Sequence, residues 1–284
     1  MPSLQALHAA GHEILLAVTQ PDRPGHRLRL TPPPVKEIAV RLGVDVYQPE
    51  KIREAATVER LRAAAPELMV VVAYGQIIPR RLLELPPRGI VNVHASLLPR
   101  WRGAAPVQYA LLAGDEVTGV TIMQMDEELD HGPILAQRQV EVERGEDAPH
   151  LTDRLAQLGA EFLVETIARL DEIEPVEQDD SKATLAPRLR KEEGELEWSI
   201  PAAEIVQRLR AYRPWPGVTL PWRGRRVKVL QAYAQPGSGR PGEVLGHRDG
   251  WLKVATGDGV LVLMQVQLPT KKPMPGRALV AGGA

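Results

Sequence analysis

The sequence predicts an α/β fold: a Rossmann-like, mostly parallel sheet covered by helices, followed by a small C-terminal β-barrel of OB-like kind. Three observations predict it. Apolar, β-branched-rich runs alternate with amphipathic segments through the first 170 residues or so, the pattern of strands crossing over through helices. Residues 172–184 are acidic and lack apolar periodicity, as a connecting stretch does. Beyond them come short strand-like runs separated by Pro-Gly, Arg-Gly and Asp-Gly turns. With 284 residues the chain has room for two domains that each bury a core, placed at 1–173 and 193–284 with a linker at 174–192.

Taken in order, residues 2–10 read as a helix, and the first strand-like run is 14–18. Further strands are expected at 44–47, 68–74, 89–93 and 117–125, with helices at 35–42, 52–65, 104–113 and 152–170. In the last third, one amphipathic helix at 202–212 precedes the short strands. The Thr256-Gly257-Asp258-Gly259 run between apolar segments 251–255 and 260–266 marks a hairpin. A barrel follows as the closure that removes exposed edges.

Composition removes several function classes. The chain has no cysteine, which excludes disulfides, thiolate nucleophiles and the usual structural zinc site. No apolar run approaches the length of a membrane span, and no basic-then-apolar leader is present, so the cytoplasm is the default location. His-Glu-x-x-His and Gly-x-Ser-x-Gly are absent, and no Gly-x-Gly-x-x-Gly lies in the α/β part of the chain, so neither a metal site, a serine hydrolase nor dinucleotide binding is expected. The net charge of −1 conceals an asymmetry: residues 1–187 sum to −9 and residues 188–284 to +8. A basic C-terminal block suits a polyanion, nucleic acid above all.

The informative segment is Asn92-Val93-His94-Ala95-Ser96-Leu97-Leu98-Pro99-Arg100-Trp101-Arg102-Gly103, leaving the strand at 89–93. Ligands in open α/β sheets bind beyond the carboxyl ends of strands. Two residues apart on an extended backbone, Asn92 and His94 project to one side, so an amide and an imidazole converge on one carbonyl oxygen. Alone, an Asn-x-His pair reads more readily as a buried histidine satisfied by a backbone group than as a catalytic one.

The run resembles the folate-dependent formyltransferases, whose Asn-x-His-x-Ser-Leu-Leu-Pro segment forms the catalytic centre. Met125-Asp126-Glu127-Glu128-Leu129-Asp130-His131-Gly132 resembles that family's second motif. The resemblance implies catalytic roles for Asn92, His94 and Asp130, and a 10-formyltetrahydrofolate donor. It implies that Asn92 and His94 donate to the formyl oxygen while Asp130 orients His94 and helps remove the amine proton. Folate would sit against Gly75, Gln76, Ile77, Ile78 and Pro79 and against Ser96, Leu97, Leu98 and Pro99, with no metal.

The likeness covers nearly the whole chain, and within the family it is to members whose acceptor is the amine of methionyl initiator tRNA. Arg23, Arg27 and Arg29, in a Pro-rich basic loop, resemble that branch's tRNA-contacting loop. Residues 205–228 carry seven basic and no acidic side chains. By the same resemblance, Arg208, Arg223, Arg225, Arg226, Lys228, Lys271 and Lys272 would face RNA, whereas Trp215 and Trp222 read as packing residues before stacking platforms. A monomer without a membrane partner is the default.

Two features depart from the family. The basic loop is about one residue short, and the opening strand with its Gly-Thr-Pro turn has no counterpart. The expectation is a natural start about ten residues upstream, since losing a central strand exposes two sheet edges. Alternatives are another 10-formyltetrahydrofolate-dependent amine formyltransferase, of purine or sugar-amine type, and a non-catalytic tRNA-binding protein. The basic barrel speaks against the first, and the complete Asn, His and Asp set against the second.

Overall fold

The structure, a computed structural model, describes residues 1–24, 30–247 and 251–281. The chain forms two compact units, one of Met1–Pro106, Val117–Glu141 and Thr152–Pro187, the other of Val107–Glu116, Val142–Leu151 and Arg188–Ala284. The first unit opens with α1 (Pro2–Ala9), β1 (Ala17–Val18), β2 (Arg23–Pro24), β3 (Leu30–Thr31), α2 (Pro34–Arg41), β4 (Val46–Tyr47) and α3 (Ala55–Ala64). It continues with β5 (Met69–Val71), α4 (Arg80–Leu83) and β6 (Ile90–His94). After α5 (Pro106–Ala113), which lies almost wholly in the second unit, come β7 (Val117–Gln124), β8 (Ile134–Glu141) and α6 (Ala148–Ala168).

Local chemistry sets these elements. Pro34 starts α2 where a missing N–H costs nothing, and Gly43, at φ +71°, turns the chain out of it while the Val44 N–H bonds back to the Ala39 carbonyl. Helix α6 starts earlier than the sequence suggests because Asp147 caps it, accepting from the His150 N–H at 3.2 Å. Burial opposes ionisation of Asp147, yet hydrogen bonds from His150 and Arg213 hold its carboxyl below the ordinary range. Leu151, Leu155, Ala160, Leu163 and Ile167 form the buried stripe of α6. Gly159 lets that stripe lie against the sheet, because a Cβ there would meet Val93 Cγ1 at 2.9 Å.

Strand β6 pairs in parallel with β5 and antiparallel with β7, and β7 antiparallel with β8. Strand β1 pairs in parallel with β4 as a separate ribbon, and β2 with β3 antiparallel. Both β1 and β5 are shorter than the runs at 14–18 and 68–74, and each pairs along one side only. A cavity of about 760 Å³ lies beside both, lined among others by Leu16, Val18, Val70 and Val72. Below β6, Ile52, Val58, Leu61, Ile78, Leu82 and Ile90 form a buried apolar cluster. Each such side chain contributes about 1.5–3 kcal/mol over its exposed state.

The second unit contains α7 (Ala202–Ala211), β9 (Val218–Trp222), β10 (Arg225–Gln235), β11 (Val244–Gly246), β12 (Leu252–Ala255), β13 (Val260–Gln267), β14 (Met274–Pro275) and α8 (Ala278–Ala281). Its strands make one curled antiparallel sheet in the order β11-β12-β13-β10-β9, with β14 also on β13. This is a half-barrel, β9 and β11 standing at its ends. The hairpin expected around Thr256–Gly259 is β12–β13. A second hairpin, β9–β10, turns on Arg223 and Gly224, both at positive φ (46° and 76°), the geometry of a two-residue I′ turn. Among the described residues no helix is long and apolar enough to cross a membrane.

Candidate active site

Strand β6 alternates its side chains, and α6 covers the face that Val93 presents. Asn92 and His94 therefore share the opposite face, and both are buried, at 7% and 5% exposure. The His94 Nε2 lies 2.9 Å from the Trp101 carbonyl. A carbonyl oxygen only accepts, so Nε2 carries a proton there. The His94 Nδ1 is 3.7 Å from Asp130 Oδ2. Asn92 Nδ2 donates to Asp130 Oδ1 at 3.4 Å, and the Gly103 N–H donates to Asp130 Oδ2 at 2.8 Å. The three residues singled out from sequence thus meet in one place, with the carboxylate between the amide and the imidazole.

The two loops that meet there are tightly constrained. Asp130 itself sits at φ +49°, in the left-handed region, and Trp101 at +66°. Glycine is required beside each. A Cβ on Gly132 would stand 2.1 Å from the Gln124 carbonyl oxygen, and one on Gly103 2.6 Å from that of Ala186. Ser96 is fully buried and its hydroxyl donates to the Arg100 carbonyl at 2.6 Å, so it has no hydroxyl to offer a substrate. The Thr121 hydroxyl donates to the Ser96 carbonyl and accepts from the Leu98 N–H and Gln137, stitching the motif to β7. The peptide Leu98–Pro99 is cis.

On the other expected folate segment, the Gln76 amide accepts from the Ile52 N–H and donates to the Glu50 carbonyl. Its role is to brace the turn. Gly75 takes φ +79°, Ile78 is buried in the apolar cluster, and Pro79 precedes α4. Ile77 is 86% exposed, as is Leu129 at 65%. Arg80 ties their two loops through Glu127 at 3.3 Å. Leu97 is half-buried, and Leu98 is buried.

Sequence reading missed the groups that hold the centre from behind. Gln178 and Asp180 lie in the acidic stretch read as linker, which here bridges Ile134 through Val176 and Arg102 through Leu185. Nothing in their local pattern marks them. The His131 Nδ1–H donates to Asp126 Oδ2 at 2.6 Å, a bond that raises its pKa above the ordinary imidazole value, with Glu128 and Asp180 adding to the effect. Asp180 is held below the usual carboxylate range by its hydrogen bond from Arg102. Among the described residues no group of His, Asp or Glu is arranged to hold a metal ion.

The expected RNA-facing cations divide into two sets. Arg226 donates to the Thr219 hydroxyl, to Glu197 and to the Leu196 and Thr219 carbonyls. Arg208 is paired with Glu204 at 2.6 Å, and Arg23 with the Gln20 amide oxygen at 3.0 Å. Lys228 is half-buried along Gly217. Arg223 projects from the β9–β10 turn over the Trp222 ring, at 5.8 Å. Arg225, Lys271 and Lys272 are exposed, with no side-chain partner among the described residues. Trp222 is buried, as its packing reading requires, whereas Trp215 is half exposed at 51%. Arg27 and Arg29 lie outside the described residues.

Comparison with known proteins decides the family. Residues 2–167 match the family described as formyl transferase, and residues 188–283 the family described as formyl transferase, C-terminal domain. Over 284 residues the chain is 47% identical to the methionyl-tRNA formyltransferase of Pelobacter propionicus, covering 99% of this chain and 89% of the relative. The chain belongs to the methionyl-tRNA formyltransferase family. Members of that family from Chloroflexus aurantiacus and Chromobacterium violaceum are 48% and 45% identical, each over 99% of this chain and 92% of the relative. Among solved structures, HypX from Aquifex aeolicus, in complex with tetrahydrofolic acid, superposes with a TM-score of 0.64 at 21% identity. That match covers 87% of this chain but only 43% of HypX. The N-formyltransferase from Helicobacter canadensis, in complex with folinic acid and dTDP-3-aminofucose, gives 0.67 at 14% identity over 92% and 93% of the two chains. At these identities the two structures share the formyltransferase fold with this chain.

Proposed function

We propose that the protein transfers the formyl group of 10-formyltetrahydrofolate to the α-amino group of methionyl initiator tRNA. The observation that carries this reading is the meeting of Asn92, His94 and Asp130 in a chain 45–48% identical to methionyl-tRNA formyltransferases. The uncharged amine attacks the formyl carbon, a C–N bond forms, and negative charge collects on the formyl oxygen. Asn92 Nδ2–H, loosely held at 3.4 Å by Asp130, is the donor for that oxygen, a role worth about 3 to 4 kcal/mol.

With its Nε2–H held by Trp101, His94 acts through Nδ1 on the side facing Asp130. The pair takes the proton that the attacking amine loses, and N10 of the folate regains one as its bond to the formyl carbon breaks. Ser96 and Gln76 shape the folate site through backbone geometry, since their polar atoms are engaged internally. Ile77, Leu97 and Pro99 supply its apolar walls.

Arg223, Arg225, Lys271 and Lys272 are the cations free for tRNA phosphates, with Arg27 and Arg29 as further candidates. The protein works as a cytoplasmic monomer, in domains at 1–173 and 193–284. The test is transfer of labelled formyl to methionyl initiator tRNA by the wild-type chain and by Asn92→Ala, His94→Ala and Asp130→Ala. Activity lost in all three supports the site, and variants as active as wild type would sink it. Transfer to a sugar amine but not to methionyl-tRNA would move the acceptor assignment to the sugar-modifying class.

A further inference from the structure

Asp130 has to hold a left-handed backbone for its carboxylate to reach both Asn92 and His94, and a non-glycine residue resists that conformation. Something outside the loop must stabilise it. The Gln178 Nε2 donates to the Asp130 carbonyl at 2.9 Å and to the Gly132 carbonyl at 2.8 Å, clamping the loop on both sides of its turn. Gln178 is itself oriented, because its Oε1 accepts from Arg102 Nε at 3.0 Å. Arg102 is 8% exposed and its Nη2 reaches Asp180 at 2.8 Å.

The same arginine's backbone is locked to the segment around Gln178. Its N–H donates to the Thr184 carbonyl and its carbonyl accepts from the Ala186 N–H, at 2.8 and 2.7 Å. The next residue, Gly103, supplies the N–H to the Asp130 carboxylate, and the preceding one, Trp101, the carbonyl that fixes His94. One strap, residues 176–186, therefore touches both loops of the centre.

We propose that Gln178 is a positioning residue for formyl transfer: by bonding the carbonyls of Asp130 and Gly132 it fixes the aim of the Asp130 carboxylate. The inference rests on the catalytic reading of Asp130 given above. Its chemistry is that of a donor, and this separates it from a residue that merely packs. Glutamate has the shape of glutamine and still accepts from Arg102, but it offers no N–H to the two carbonyls.

The experiment measures kcat and KM for both substrates, with thermal unfolding, in Gln178→Ala, Gln178→Glu and Asp130→Ala. Both Gln178 variants are expected to lose about 10- to 100-fold in kcat, the scale of a displaced catalytic group, with KM for methionyl-tRNA and folate within about twofold of wild type. Full activity in Gln178→Glu beside a loss in Gln178→Ala would overturn the proposal, since anchoring Arg102 would then be the whole role. Wild-type kcat in both, or a loss confined to KM, would overturn it as well. If Asp130→Ala keeps wild-type kcat, the catalytic reading itself fails, an outcome distinct from the others. The Glu variant keeps the side-chain volume, so it reports on the donor even if the Ala variant unfolds.

Discussion

Strand β6 and the β9–β10 hairpin were both marked by polar residue types in the sequence, yet the structure treats them in opposite ways. On β6, Asn92 and His94 are buried and their polar atoms converge on one carboxylate. On the hairpin, the Arg226 side chain reaches four acceptor atoms on Leu196, Glu197 and Thr219, while that of its neighbour Arg225 reaches none among the described residues. A buried polar side chain must be satisfied, so its position carries strong information about its purpose. A surface arginine is under no such constraint, and counting charge overstates how many cations are available to a polyanion.

The contrast sharpens first at the centre. Replacing Asn92 by Ala should lower kcat by about 10²- to 10³-fold with little change in thermal stability, as read by single-turnover formyl transfer. Next comes the turn behind Asp130: Gly132→Ala places a Cβ against the Gln124 carbonyl and should cost roughly 3 kcal/mol by denaturant unfolding.

On the hairpin, Arg226→Ala should destabilise by about 1–3 kcal/mol, because the Leu196 and Thr219 carbonyls lose a charged donor. Arg225→Ala should leave stability unchanged and reduce the salt dependence of tRNA affinity by about one counterion in a log–log plot. If the two arginines behaved alike, the distinction between committed and free cations would collapse.

The smallest effect is one of pH. His131 has a raised pKa in the folded state, so its contact with Asp126 and Asp180 stabilises fully below the unfolded value near 6.5 and fades as pH rises through the folded value. The difference in melting temperature between wild type and His131→Gln should therefore shrink between pH 6 and pH 9. A difference that holds constant across that range would assign it to packing.

Legibility followed the same division. Asn92 and His94 were readable because a two-residue spacing on an extended strand fixes a shared face, and helices α2, α3, α5 and α7 because their apolar spacing survives in the sequence. Strand β8 was not picked out. Its Ile134-Leu135-Ala136-Gln137-Arg138-Gln139-Val140-Glu141 run is half-buried at the edge of the sheet and carries little apolar signal. The strap carrying Gln178 escaped for a related reason: it is held by backbone bridges and by a few polar side chains, Gln178 and Asp180 among them, which leave no periodic trace. The start of α6 depended on Asp147 acting as a cap, and that required knowing where its hydrogen bond goes.

Ile77 and Leu129 stand in water on two loops that Arg80 and Glu127 join. If the donor lies against Ile77 as proposed, apolar surface leaves solvent and the heat capacity of binding is negative. Donor affinity would then trace a curve with temperature instead of a straight van't Hoff line, with binding growing more exothermic as the solution warms.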